Sequence, residues 1–396
     1  MNLIKDLNLT NDDVVSTKKL SLRGEKKVFD VYRIPLDCLK YNKQNGRIAT
    51  YISQFIDEGH DFSDESEEFN RIIEGFIEES NPDALKKTKL NIKALSQTEP
   101  AVVLSNGIIL DGNRRFTSLR QLSREGAGAE FNYLEAVILD SEKYNNKDIK
   151  RLELNLQHAI ESRVDYNPID RLVDIYRDLI ENGGIFTPEE YKGETQLTLN
   201  EVKKEIEIAK LLVEYLEFIN KPKKFYIARK QKVDGPLREI YKILKSNKID
   251  PDSKEDIKEY LFTNIMALDG DITRRIRDLK IVFEDKNLSA ELLEEVDESE
   301  ILDDTTDYFN EFDEKSETVE LSETITNKVK KITESFVERK KYQNARNQPY
   351  DMLNRAYTTL KEVDIDALGR LDYSSKQEFG NLLEKASELI NELRDI

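Results

Sequence analysis

The order of apolar and polar residues in the first 140 positions predicts short strands interleaved with helices. β-Branched and aromatic residues form several short runs, which are typical of strands. The predicted strands are residues 27–36, 100–104, 108–110 and 133–139. Asn106-Gly107 separates two of them and favours a hairpin, because both residues tolerate positive φ. We therefore predict an α+β domain over residues 1–165, with a helix at 113–124 directly after the hairpin.

From about residue 147 onward, apolar residues recur at spacings of three and four, which predicts helices. The predicted helices of the middle region are 147–161, 168–182, 198–219 and 236–247. We predict a mainly α-helical middle domain at 166–290, in which 187–219 could form a helix-turn-helix. Residues 291–320 hold fourteen acidic residues against one basic residue, and we interpret them as an exposed acidic linker.

The segment 321–396 is predicted to be a C-terminal helical association domain. Its predicted helices are about 320–341, 347–362 and 374–394. The apolar stripe of the last helix consists of Phe379, Leu382, Leu383, Ala386, Leu389 and Leu393. Such a stripe needs a partner, so we predict a homodimer, with docking of other proteins as a further use. The alternative is a hairpin within one chain that turns near Gly369.

Composition restricts the chemistry and the location. The single cysteine, Cys38, excludes an internal disulfide framework and a Cys-rich zinc site. Two histidines, His60 and His158, are too few for a His-rich metal site, a His-based nuclease or a Ser-His-Asp triad. No apolar run approaches the ~20 residues that span a bilayer, and the N-terminus turns acidic where a signal peptide turns apolar. We expect a cytoplasmic protein without a membrane partner.

The run Asp111-Gly112-Asn113-Arg114-Arg115, here called the box, is the segment most informative about chemistry. A strand that ends in Asp-Gly and opens a helix brings unpaired backbone N–H groups and the positive end of the helix to one place. Two arginines in the first turn add guanidinium groups. This combination predicts a site for an anion with several oxygens, such as phosphate. The alternative is a capped helix with two exposed arginines.

The box and its flanks resemble the ParB and sulfiredoxin-like superfamily, whose phosphate-binding box reads Gly-Glu-Arg-Arg or Asp-Gly-Gln-Arg. Residues 34–48 are similar to the family's first strand and its Asn/Gln/Arg stretch. Residues 91–104 are similar to the helix and strand before the box, and 165–169 to the start of the next helix. The resemblance implies a nucleoside triphosphate, CTP as in the partition proteins or ATP, held with Mg²⁺.

The same resemblance assigns site residues. The nucleotide-binding residues that it implies are Arg47, Asp111, Gly112, Asn113, Arg114 and Arg115. Its metal ligands fall in a stretch that reads Glu-Asn-Leu-Gln-Arg in the family. Asn155-Leu156-Gln157 matches these letters, but Leu154 replaces the glutamate, and a gapless alignment instead places Arg163 at the arginine. Asn155 and Glu161 are therefore the implied metal ligands, and the alternative is that they are exposed polar residues of a helix.

Other branches of the superfamily fit less well. Sulfiredoxin-like reductases need a cysteine in the phosphate loop, and residues 105–120 contain none. Relatives that phosphorylate free serine carry a histidine in the box, and the nuclease branch relies on a separate histidine-containing domain. A small-molecule kinase would need a catalytic carboxylate, for which Asp111 is the local candidate.

The remaining hypothesis is a nucleotide-dependent binding switch, with or without slow triphosphate hydrolysis. Its alternative is a non-catalytic adaptor with a degraded nucleotide site, for example in a mobile-element or phage-defence system.

A basic cluster in the middle region predicts contact with DNA. Its members are Lys221, Lys223, Lys224, Arg229, Lys230 and Lys232. Phe225 and Tyr226 are interleaved with them, and basic residues with aromatics suit contact with a nucleic-acid backbone. The alternative is a solvated charged face. The net charge of −18 argues against wholesale wrapping by nucleic acid but leaves room for such a local patch.

Overall fold

A small mixed β-sheet forms the centre of the N-terminal region in the computed structural model. The structure describes residues 2–22, 25–60, 67–160, 167–311 and 319–394. The strands are β1 (Val14–Leu22), β2 (Glu25–Pro35), β3 (Ala101–Leu104), β4 (Ile109–Asp111) and β5 (Tyr133–Leu139). They are arranged in the order β1-β2-β5-β3-β4. β3 and β5 run parallel, and the other neighbouring pairs are antiparallel.

Helices cover both faces of this sheet. They are α1 (Leu3–Asp6), α2 (Ala49–Asp57), α3 (Glu67–Ser80), α4 (Pro82–Leu95), α5 (Asn113–Arg124) and α6 (Asn146–Ile160). Ala101 and Val103 of β3 face a core built with α2, α3, α4 and α5. Val102 and Leu104 face a second core with α6. Because strand side chains alternate between faces and both faces of β3 are covered, this inner strand needs apolar residues at every position.

The region after the sheet is helical, as predicted. Its helices are α7 (Pro168–Leu179), α8 (Pro188–Glu194), α9 (Leu199–Phe218), α10 (Phe225–Lys230), α11 (Asp234–Leu244), α12 (Lys254–Ala267), α13 (Ile272–Phe283), α14 (Lys286–Glu298) and α15 (Ile301–Glu311). Local caps explain several of the starts. Asn167 caps α7 ahead of a proline, and Thr187 and Thr198 form capping boxes at α8 and α9.

The interpretation of residues 291–320 as an exposed linker is wrong for 291–311, where α14 and α15 lie. Leu292 and Val296 are buried on α14, and Ile301 and Phe309 on α15. An apolar residue at every fourth position suffices for a narrow buried stripe, while the acidic side chains occupy the remaining helix surface. Residues 312–318 lie outside the described residues.

The C-terminal part consists of α16 (Glu323–Lys361), α17 (Ile365–Gly369) and α18 (Tyr373–Arg394). The two helices predicted at 320–341 and 347–362 are one continuous helix that contains Pro349. The chain divides into two compact units, Met1–Glu334 and Ser335–Ile396, so the domain boundaries predicted at 165 and 290 both fall inside the first unit. None of the described helices is long and apolar enough to cross a membrane.

Candidate functional site

A cavity of about 330 Å³ lies where the end of β4 meets the first turns of several helices. Its volume is within the range of small-molecule sites, roughly 300–1,000 Å³. The residues predicted for nucleotide binding that line it are Arg47, Asp111, Gly112, Asn113, Arg114 and Arg115. The structure therefore brings all six together, although Arg47 is separated from the box by more than sixty residues.

Four helix-capping residues also line this cavity. Asn81 precedes α4, Gly112 precedes α5, Asn167 precedes α7, and Asn45 precedes the single 3₁₀ turn Gly46–Ile48. The first turns of three α-helices, of 14, 12 and 12 residues, therefore meet at one place. Each brings the positive end of a helix dipole, so their effects on an anion add, although Asn81 Oδ1 and Asn167 Oδ1 each already accept from one first-turn N–H group.

Charged side chains in the lining have a positive excess. The cationic ones are Arg47, Lys87, Arg114, Arg115 and Arg229, and the carboxylates are Glu99, Asp111 and Asp170. Five cations against three carboxylates in the described lining contrast with the net charge of −18 for the whole chain. The cavity is thus a local positive site on an acidic protein, which favours an anionic ligand.

Gly112 determines the geometry of the box. Its φ is +106°, and a Cβ at this position would lie 2.7 Å from Ala101 Cβ and 3.1 Å from Arg115 Nη2. Arg115 folds back over the glycine and donates from Nη2 to Asp111 Oδ2 at 2.8 Å. In the described structure, Arg115 Nε and Asn113 Oδ1 are buried without a hydrogen-bond partner. Such groups are costly unless a ligand or water satisfies them.

Lys18 of β1 supports the box from behind. Its Nζ lies 3.9 Å from Asp111 Oδ2 and 4.0 Å from Glu99 Oε2, so its ammonium pairs with two carboxylates of the cavity lining. Burial lowers the pKa of Lys18 because it disfavours the ammonium form, and Asp111 partly opposes this effect. The sequence did not indicate Lys18, because β1 was not recognised as a strand.

Arg229 enters the cavity from α10. Its Nη1 donates to Thr50 Oγ1 at 2.8 Å and to Asp170 Oδ2 at 3.1 Å, and its Nη2 donates to Tyr51 OH at 2.8 Å. The guanidinium also lies 4.2 Å from the centre of the Tyr51 ring. Asp170 is buried and accepts from Thr50 N at 3.0 Å. Burial raises the pKa of Asp170 to about 6, although Arg229 opposes the shift.

The other members of the basic cluster do not form one face. Lys221 is fully buried, and Lys224 Nζ pairs with Asp57 Oδ1 at 2.9 Å. Lys223 is exposed and donates to Glu181 Oε1 at 2.8 Å. The six residues predicted to contact DNA therefore do not share one surface, and Lys221 is not accessible to DNA. Contact through the exposed lysines stays a prediction.

The two aromatic residues next to these cations belong to the protein core. Phe225 and Tyr226 are buried in the first turn of α10, so they belong to the core and cannot act as stacking platforms. Their burial fixes the orientation of the short helix and turns Arg229 toward the cavity. Lys230 and Lys232 remain exposed.

Of the two implied metal ligands, Asn155 is not brought to the cavity. Asn155 lies on α6, where its Nδ2 donates to Glu194 Oε2 at 2.9 Å, and it is absent from the described cavity lining. Glu161 lies outside the described residues. Within the described ranges, no group of three or more His, Cys, Asp or Glu residues is arranged to hold a metal ion. Glu99, Asp111 and Asp170 are the carboxylates in the described cavity lining, and Asp170 is paired with Arg229.

Comparison of the chain with protein-family models, with curated proteins and with solved structures gives no match.

Proposed function

We propose that this chain binds a nucleoside triphosphate, CTP or ATP, in the cavity around the box of a ParB-like domain and acts as a nucleotide-dependent binding switch. The observation that supports this most directly is the meeting of three α-helix N-termini and five cationic side chains at one cavity. Phosphate groups are the ligands that such backbone N–H groups and guanidinium groups bind well.

The box supplies the closest contacts in this proposal. Gly112 adopts the positive φ that glycine tolerates best, and this turn leads into the first N–H groups of α5, where phosphate oxygens would bind. Arg114 and Arg115 neutralise the phosphates from the first turn of the helix. A bound Mg²⁺ would neutralise further phosphate charge, and Glu99 and Asp111 would supply carboxylate ligands to it in place of their ion pairs with Lys18.

The proposal includes only weak association with DNA. The exposed lysines of the basic cluster are Lys223, Lys230 and Lys232. Three lysines on an acidic chain support only weak, sequence-independent contact with a DNA backbone that is lost as salt rises.

Titration calorimetry with CTP and ATP, with and without Mg²⁺, tests the proposed function. We expect tighter binding of triphosphate than of monophosphate, and Arg114→Ala should weaken it at least tenfold. Loss of a charge-assisted hydrogen bond costs about 1.5–3 kcal/mol, and tenfold corresponds to about 1.4 kcal/mol. Arg71→Ala is the matched control, because Arg71 on α3 is 72% exposed and lies outside the cavity lining. If the wild type binds no triphosphate at millimolar concentration, the adaptor hypothesis replaces this one.

A further inference from the structure

Arg229 stands apart from the other cations of the cavity. Arg47, Lys87, Arg114 and Arg115 belong to the sheet and its covering helices, whereas Arg229 is supplied by α10 of the following helical region. α10 packs against α2, α7 and α9. The guanidinium of Arg229 links α10 to α2 and α7 at the cavity.

The guanidinium is held firmly but retains capacity to bind. An arginine has five N–H donors, and the bonds to Thr50, Asp170 and Tyr51 use three of them. Thr50 and Tyr51 do not line the cavity in the described structure, so these contacts position the side chain without contacting a ligand. Within the described residues, Nε and the second Nη2 proton make no hydrogen bond, so both can bind a further acceptor.

We propose that Arg229 binds the phosphate groups of the cavity ligand and thereby couples occupancy of the cavity to the packing of α10 on α2 and α7. This inference rests on the proposed function and names its means of regulation. A phosphate that accepts from Nε and the second Nη2 proton leaves the bonds to Thr50, Asp170 and Tyr51 in place and adds to the contacts that hold α10. The ligand therefore interacts differently with an α10 that is docked and one that is displaced, which is the condition for a population shift.

The contacts distinguish Arg229 from a purely structural residue. Arg229→Gln removes the charge and the fork of donors, while Arg229→Lys keeps the charge without the planar geometry. Tyr51→Phe is the matched control, because it removes the hydroxyl that holds Nη2 and leaves the ring under the guanidinium. A role limited to packing would make Tyr51→Phe and Arg229→Gln alter thermal unfolding without a specific loss of affinity.

The test measures binding of inorganic tripolyphosphate, ATP and CTP to the full chain by calorimetry. Tripolyphosphate reports on phosphate recognition alone, and the two nucleotides show whether the ligand needs a base. We expect Arg229→Gln to weaken all three at least tenfold, Arg229→Lys to weaken them less, and Tyr51→Phe to change them less than threefold. If Arg229→Gln does not fold, the comparison of Arg229→Lys with Tyr51→Phe decides, and equal affinities would overturn the inference.

Amide hydrogen exchange of residues 49–57 and 225–230 tests the coupling. Tripolyphosphate should slow exchange in the wild type at least threefold and leave it unchanged in Arg229→Gln at matched occupancy. If the wild type binds and Arg229→Gln binds equally well, the inference fails while the proposed function stands. If the wild type binds none of the three ligands, both fail.

Discussion

At the residue scale, the box was recognisable from sequence because its signals are local. A strand, Asp-Gly and two arginines follow one another within eight positions, and hairpin and helix-start signals flank them. Asp170 and Lys87 were missed because tertiary packing alone brings them to the cavity. A usable signal existed for Asn81 and Asn167. Each precedes a proline, and Asn-Pro is a typical helix start, yet the sequence does not show that both starts meet.

We expect that even alanine at position 112 impairs both stability and triphosphate binding. Gly112→Ala places a Cβ 2.7 Å from Ala101 Cβ at a φ of +106°, so we expect it to lower the free energy of unfolding by about 1–3 kcal/mol and to abolish triphosphate binding. Gly126→Ala is the control, because Gly126 also has a positive φ, +66°, but meets nothing within 4 Å. Urea unfolding measures both variants. Equal destabilisation would show that the contact with Ala101 is unimportant.

A buried carboxyl should make stability depend on pH. Asp178 of α7 is only 1% exposed, its Oδ1 lies 3.6 Å from Lys150 Nζ, and its Oδ2 has no hydrogen-bond partner in the described structure. Burial raises the pKa of Asp178 to about 7, with Lys150 opposing the shift and Asp174 and Glu153 adding to it. The folded state therefore holds a proton that the unfolded state releases near pH 4.

The direction of the pH dependence follows from the linkage between proton binding and folding. The stabilisation from protonated Asp178 is complete below about pH 4 and is lost as pH rises through about 7. We expect the free energy of unfolding to fall from pH 5 to pH 8 in the wild type, and to fall less in Asp178→Asn. Denaturant titrations at the two pH values measure this difference. Asp303→Asn, at an exposed position of α15, is the control and should keep the wild-type slope. An identical slope in Asp178→Asn would contradict the argument.

At the element scale, helices and strands with a clear spacing of apolar residues were predicted correctly, and those with a weak spacing were missed. The helices α7 and α9 were expected from their apolar spacing and caps, and the structure confirms both. β1 was missed because its exposed polar residues, in the run Val14–Leu22, hide the alternation, and its pairing with β2 stabilises it. α14 and α15 were missed because high acidic content masked a narrow apolar stripe.

A buried residue of α15 allows a direct test of whether residues 301–311 are a packed helix or an exposed linker. Phe309 is 1% exposed, and its ring centre lies 6.0 Å from that of Phe218 on α9. We expect Phe309→Ala to lower the free energy of unfolding by about 3–5 kcal/mol, as is typical when a buried aromatic side chain is removed. Asn310→Ala, on the exposed side of the same helix, should change it little. Urea unfolding that shows no effect of Phe309→Ala would restore the interpretation as a linker.

At the scale of the whole molecule, the C-terminal unit has apolar surface that its own helices do not cover. α16 and α18 make no extended contact in the described structure, so the hairpin within one chain is not formed. Leu382, Leu389 and Leu393 of α18 are each more than half exposed. Residues 335–361 hold six basic and two acidic residues, whereas 362–394 hold eight acidic and four basic residues. Opposite charge on two segments that also expose apolar side chains favours pairing between copies.

We therefore expect the full chain to be at least a dimer at micromolar concentration, with α18 in the interface. Replacing Leu382 and Leu389 together by serine should shift the mass measured by light scattering toward the monomer, because two apolar side chains lose the burial that association provides. Val28→Ser is the control, since Val28 of β2 is equally exposed, at 66%, but lies outside the C-terminal unit. A wild type that is monomeric at this concentration would show that α18 awaits a different protein, and an unchanged dimer in the double variant would place the interface elsewhere.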